Sequence, residues 1–243
     1  MNELRVLPVA GLPEVSEGTK LGELIAERAE LQDGDVVVIS QKVVSKAEGQ
    51  VRRLSDVEPS ERALELANKL GKEAELVELI LSESREILRE DRVLITETHH
   101  GFVCANAGVD SSNLPEQSTV CLLPADPDAS ARRIRAEISQ AVGIVIADSF
   151  GRAWRLGQNE VAIGCAGLVP LDDWRGREDS SGRVLTATVI AIADEVAAAA
   201  DLVRVKDSGV PAAIVRGLGR YVTAEDGPGA AALRRPPAED LFR

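Results

Sequence analysis

The chain has 243 residues, 44% apolar and 28% charged, with 28 Lys and Arg set against 40 Asp and Glu. That is enough apolar material for one compact unit with a real core, and a net charge of −12 excludes a protein that works by general attraction to nucleic acid, which depends on basic side chains. Cys104, Cys121 and Cys165 show no CxxC spacing and no apolar run reaches bilayer length, so the composition argues against a disulfide framework, a zinc ribbon or a membrane partner and suits a reducing, cytoplasmic setting.

Apolar residues Leu21, Leu24, Ile25 and Leu31 share a helical face and predict a helix over 19–31, capped at Thr19 and ended by Gln32-Asp33-Gly34. Val36 to Ile39 is β-branched throughout, the mark of a strand buried on both faces, and it runs into Ser40-Gln41-Lys42. Ser60 to Leu88 has leucines at helical spacing and predicts one or two helices broken near Gly71, followed by a strand at 92–96 and a polar, turn-rich stretch from His99 to Asn113. A short helix with a cap at Ser130 is expected within 126–140, then a buried strand from Val142 to Ala147 that ends in Asp148-Ser149. The glycines of 151–167 suggest a loop and then a strand, Ala187 to Val203 a buried helix, and Ala212 to Val215 the last strand. Strands and helices mix without strict alternation, so the expected class is α+β, with mixed sheets, packed helices and two lobes around a shared core. Residues 1–220 are expected to form the domain and 221–243, rich in Gly, Ala and Pro, a flexible tail.

Polar residues just past a buried strand are where α/β proteins commonly hold ligands, which singles out Ser40, Gln41 and Lys42. Lys42 and Lys46 stand close together in a chain with six lysines, and an ammonium group is an effective point charge on phosphate. Asp110 and Asp148 each lie near an apolar segment among small and hydroxyl residues, Ser149 included; such carboxylates suit Mg²⁺ or Mn²⁺, but Asp also caps turns, and spacing leaves both readings open. No GxxxxGK[ST] occurs, so a nucleotide site has to be of another design. His99 and His100 are adjacent and point to opposite sides of an extended chain, which suits structural hydrogen bonds better than one shared ion.

Read together, these segments resemble the coenzyme F420-0:L-glutamate (γ-glutamyl) ligase family. The likeness is carried by GLPEV at Gly11, SQKVVSKAEG at Ser40, HHGFVCANAGVDSSN at His99 and DSFGRAWRLGQNEVAIGCAG at Asp148. WRGREDSSGR at Trp174, ADEVAAAADLV at Ala193 and GVPAAIVRG at Gly209 continue it in family order to about Gly217. The resemblance implies that Gly11, Leu12, Pro13, Glu14, Ser40, Gln41, Lys46 and Asn113 contact GTP. It also implies that Asp110 and Asp148 bind divalent metal, with Ser149 where the family often has a threonine at a second ion. Arg204 to Pro211 matches a nucleotide-contacting loop in which Lys206 is kept, while Val205 stands where glycine is common. The implied chemistry is GTP-driven ligation of L-glutamate to coenzyme F420-0 through an acyl phosphate. Mg²⁺ or Mn²⁺ and a monovalent ion such as K⁺ would support it, Lys42 and Lys46 would assist, and Arg152, Arg155 or Arg175 would clamp the incoming carboxylates. A homodimer is implied as well, and a chain ending at Arg243 is expected to lack the flavin-binding reductase domain fused in two-domain relatives. Competing expectations are another phosphoryl-transfer or amide-forming enzyme on this scaffold, or a nucleotide-binding homologue without turnover.

Overall fold

The structure, a computed structural model, describes residues 3–112, 118–205 and 207–240. Strand β1 (Arg5–Pro8) precedes helix α1 (Leu21–Arg28), and β2 (Val36–Ser40) runs straight into α2 (Gln41–Ala47). The short β3 (Val51–Arg53) leads to α3 (Glu61–Leu70), α4 (Ala74–Ser82), β4 (Ser84–Glu90), β5 (Leu94–Thr98) and β6 (Val103–Ala105). Next come β7 (Thr119–Cys121), α5 (Pro127–Ala136), β8 (Gly143–Arg152) and β9 (Arg155–Ala166). The last part holds β10 (Asp172–Asp173), β11 (Val189–Ile190), α6 (Ile192–Asp201) and β12 (Ala212–Arg216).

The central sheet has the order β1-β12-β2-β8-β9, with β2 and β8 parallel and the other neighbours antiparallel. Alternation along β2 sends Val37 and Ile39 to one face, where they meet Ile144, Ile146, Leu21, Ile25 and Ile134 under α1 and α5. Val36 and Val38 point the other way, onto Val145 and the alanines Ala193, Ala197 and Ala200 of α6. Helices on both faces explain why β2 is apolar without interruption. The close layers need two glycines: a Cβ on Gly22 would stand 2.3 Å from the Ile134 carbonyl oxygen, and one on Gly164 2.3 Å from that of Pro127. A separate cluster, Ala63, Leu66, Val77, Ile80 and Leu94, packs α3 and α4 on the three-stranded sheet β4-β5-β6. The class is α+β, as expected.

Several expectations need correction. The first helix is confined to Leu21–Arg28, and Thr19 bonds to Ser16 as part of the preceding turn instead of capping it. Gly71, in left-handed backbone at φ 64°, ends α3 as anticipated, but Leu88 belongs to strand β4, which pairs with β5. Helix α5 is capped by Asp126, whose side chain accepts the Ala129 amide at 2.9 Å with Pro127 in the first turn. Ser130 lies inside that helix and donates to Glu48 at 2.5 Å. The stretch 151–167 is no loop followed by a strand: β8 continues to Arg152 and β9 begins at Arg155, forming one long hairpin. The alanine-rich helix occupies Ile192–Asp201, shorter than 187–203. Within the stretch expected to be a tail, Ala230 is buried and its amide donates to Asp128 at 2.7 Å. Among the described residues no helix is long and apolar enough to cross a membrane.

Candidate active site

The site arises where two strands outrun a third. Pairing of β2 with β8 stops at Ser40 opposite Ala147, while β8 and β9 continue together to Arg152 opposite Arg155. Asp148 and Ser149 are therefore the first β8 residues beyond the end of β2. Just before them the register steps from Ile146–Gly164 to Ala147–Ala162, so β9 carries one extra residue, a bulge that re-aims the side chains beyond it. Helix α2 starts at the same edge, which puts Gln41, Lys42 and Lys46 beside the hairpin. Asp110 is fixed by reciprocal backbone bonds with Cys121, at 3.0 and 2.8 Å.

A cavity of about 540 Å³ opens at this edge. Leu12, Pro13 and Glu14 of the N-terminal loop, Ser40, Gln41, Lys42 and Lys46, and Asp110, Asp148 and Ser149 all line it. Segments far apart in the chain thus supply one wall each, and the two aspartates proposed from the sequence share one space. Gly11 lies just outside the lining, its carbonyl held by Arg28 at 2.9 Å. Asn113 and Lys206 fall outside the described residues. Val205, where the resemblance would place glycine, also lines the cavity; it has no positive φ and is 59% exposed, so the turn accepts a side chain there.

The two aspartates differ in electrostatics. Burial pushes up the carboxyl of Asp110, but hydrogen bonds from Lys42 and Ser112 outweigh it and hold its pKa below the ordinary value. Lys42 Nζ lies 2.7 Å from Asp110 Oδ2 and donates to the Ser112 carbonyl at 2.6 Å. Asp148 goes the other way, to about 7: burial is the main cause, the charge of Glu160 adds to it, and the Ser149 amide offsets part. Asp110 raises it further, so the two carboxylates sense each other. Lys46 pairs with Glu14 at 2.6 Å on the rim, and Gln41, buried, accepts the Ser45 hydroxyl at 2.9 Å.

Sequence reasoning did not single out Glu160 of the cavity wall, and it placed Arg204 only at the start of the 204–211 loop. Glu160 and Arg204 are both buried and joined at 2.8 Å, and the other oxygen of Glu160 accepts the Ser149 hydroxyl at 2.5 Å. The one available signal was Glu160 standing in an otherwise apolar run up to Ala166. The arginines expected to clamp carboxylates do not line the cavity. Arg152 bonds back to Leu156 in the hairpin and Arg175 to Asp173, while Arg155 lies exposed next to the hairpin turn. His99 and His100 accept structural roles, on the carbonyls of Ser82 at 2.9 Å and Pro124 at 3.0 Å.

Two carboxylates, a serine hydroxyl and a glutamate next to them form a set of hard oxygen donors suited to Mg²⁺ or Mn²⁺ in the company of water and phosphate oxygens. The raised pKa of Asp148 fits such a use, because it marks uncompensated negative charge that a cation would relieve. Among the described residues no three His, Cys, Asp or Glu side chains close on one point, so protein ligands alone would not fill a coordination sphere.

Comparison with known proteins adds a second line. The family model described as F420-0:gamma-glutamyl ligase matches residues 11–217. The chain is 46% identical over 220 residues to the coenzyme F420:L-glutamate ligase of Archaeoglobus fulgidus, covering 88% of each chain. It is 43% identical over 251 residues to that of Methanothermobacter thermautotrophicus, covering 99% of each, and 46% identical over 247 to that of Methanopyrus kandleri, covering 99% of this chain and 98% of the relative.

Proposed function

This chain belongs to the F420-0:gamma-glutamyl ligase family, and from that premise we propose that it joins L-glutamate to coenzyme F420-0 in a reaction driven by GTP and a divalent cation. The observation that carries the reading is the meeting of Asp110 and Asp148 in one cavity with Gln41, Lys42, Lys46 and the 12–14 loop. A carboxylate is a poor acyl donor. Its oxygen attacks the γ-phosphorus of GTP, GDP leaves, and the amine of glutamate then displaces phosphate from the acyl phosphate to form the amide. Bound Mg²⁺ or Mn²⁺ supplies positive charge on the phosphoryl oxygens, which is most of what phosphoryl transfer asks of a catalyst. Asp110 and Asp148 would hold it, with Ser149 at a second position and K⁺ as a monovalent helper.

Lys42 is the side chain best placed to follow the charge as it moves, since it already lies against Asp110 and lines the same space. Lys46 and Glu14 close the rim where Leu12 and Pro13 offer an apolar wall to a flat base. We read α3, α4 and the β4-β5-β6 sheet as the second lobe of the fold, and the chain as a cytoplasmic homodimer; Trp154 and Leu156, 82% and 97% exposed at the hairpin turn, support a subunit contact there. Incubation with F420-0, GTP, Mn²⁺ and L-glutamate, followed by mass spectrometry, tests the reaction. Glutamylated F420 is expected only when all four are present, and product formed without GTP, or with ATP in its place at equal rate, refutes the reading.

A further inference from the structure

Arg204 is 7% exposed, charged, and has no part in the chemistry proposed above. Its Nη2 donates to Glu160 Oε2 at 2.8 Å and its Nη1 to the Pro211 carbonyl at 3.4 Å. That same carbonyl accepts the Ser40 amide at 2.8 Å. One guanidinium thus ties the turn after α6, at both of its ends, to β9 and to the end of β2. Between those ends, Asp207, Gly209 and Val210 line the cavity. Taking a guanidinium out of water is costly, and an apolar side chain of similar volume would pack as well, so packing alone does not account for an arginine here. Its fork geometry does, because two partners at fixed angles can be held by one rigid group.

We propose that Arg204 is a positioning residue that clamps residues 207–211 onto the Glu160–Ser149 pair, a role that rests on the reading of this cavity as a nucleoside triphosphate site. Glu160 is the second member of the device. A serine has one hydroxyl hydrogen, and Glu160 takes that of Ser149, so Ser149 Oγ meets a ligand only as an acceptor. The Ser149 oxygen is thereby committed to a cation or to an N–H or O–H donor, and turned away from phosphate oxygens. Arg204 keeps Glu160 in that orientation while its other arm fixes the turn.

The test uses the full chain in two stages. Hydrogen exchange on the ligand-free protein compares wild type with Arg204→Met and Arg204→Lys. Amides of residues 207–210 should exchange about 10-fold faster in Arg204→Met, with α6 and β8 unchanged, and by an intermediate factor in Arg204→Lys, which keeps the charge but not the fork. In turnover assays KM for GTP should rise about 10-fold with kcat within about 3-fold, the pattern of lost binding geometry. If Arg204→Met does not fold, Arg204→Lys carries the comparison. Unchanged exchange at 207–210 in whichever variant folds, or a loss confined to kcat, overturns the proposal. Faster exchange in a protein whose wild type takes up no GTP would leave the clamp standing and remove the nucleotide reading instead.

Discussion

Asp148→Asn should stabilise the metal-free protein while destroying its use for a cation. The carboxyl of Asp148 titrates near 7 in the fold, against 3.8 for an ordinary aspartate, because it is buried and faces Glu160. A raised folded-state pKa in an acid means that the folded form binds a proton the unfolded form has lost. Stability from this group is therefore full below about pH 4 and is lost as pH climbs toward 7. Above that point the native state carries an anion it would rather shed, and the difference of about 3 units corresponds to a ceiling of about 4 kcal/mol. The neutral isostere is free of this cost, so its gain at pH 8 should approach that ceiling. In a chain of this size each kcal/mol of that gain is about 2–4 °C in Tm.

The assay is thermal and urea unfolding of wild type and Asp148→Asn in EDTA at pH 8 and pH 5.5. Taking the difference between the two proteins at each pH cancels the titration of every other group. The gain should be present at pH 8 and shrink by about 1.4 kcal/mol for each unit below 7. Adding Mn²⁺ at pH 8 should reverse the order, because the wild type gains binding free energy and the variant does not. A variant less stable than wild type at pH 8 in EDTA, or a gain equal at both pH values, would refute the argument from charge burial.

Three further outcomes rest on the same geometry. Gly164→Ala drives a methyl group into the Pro127 carbonyl at 2.3 Å and should cost about 3 kcal/mol in urea unfolding, whereas Gly71→Ala, with nothing within 4 Å, pays only for its positive φ, about 1 kcal/mol. If the proposed role of Lys42 on phosphate holds, Lys42→Ala should lower kcat/KM for GTP about 100-fold in a phosphate-release assay with Tm nearly unchanged, its Asp110 partner being 41% exposed. The double replacement Trp154→Ser with Leu156→Ser should shift the sedimentation coefficient from dimer to monomer at micromolar concentration; both side chains are exposed, so each changes the monomer's own stability by only about 0.5 kcal/mol.

The elements that could be read from the sequence are those whose surroundings act through simple periodicity. β2 was legible because helices cover both faces and leave no polar position, and the break at Gly71 because only glycine enters left-handed backbone at little cost. Leu88 was misplaced since a short apolar run carries no clear period; pairing with β5 decided it as strand. The hairpin was hidden by its glycines and by its own projection beyond the sheet, which leaves residues 151–158 exposed and removes the alternation by which a strand is recognised. The aspartates came from ordered motifs, not from spacing, which could not separate a metal ligand from a turn cap. Glu160 and Arg204 stand 44 residues apart on different elements, and only the packing of α6 against β9 brings them together.

The hairpin's overrun also explains how one cavity holds two aspartates in opposite electrostatic states. Asp110 sits on a loop beside helix α2, where Lys42 can reach it, and so is held as a ready anion at neutral pH. Asp148 is buried on a strand, with a glutamate across from its neighbour, Ser149, and no lysine or arginine within salt-bridge distance among the described residues, so burial first and the glutamate's charge second push its carboxyl up to about 7. Environments that push two carboxyl groups apart are the usual sign that the groups act at different moments. On the reading proposed above, Asp110 would offer a cation a charge already formed and shared with Lys42, whereas Asp148 would have to give up a proton to do the same. On that reading Lys42 would be freed to face a phosphate group, and the difference between the two carboxyl groups comes from where β2 stops.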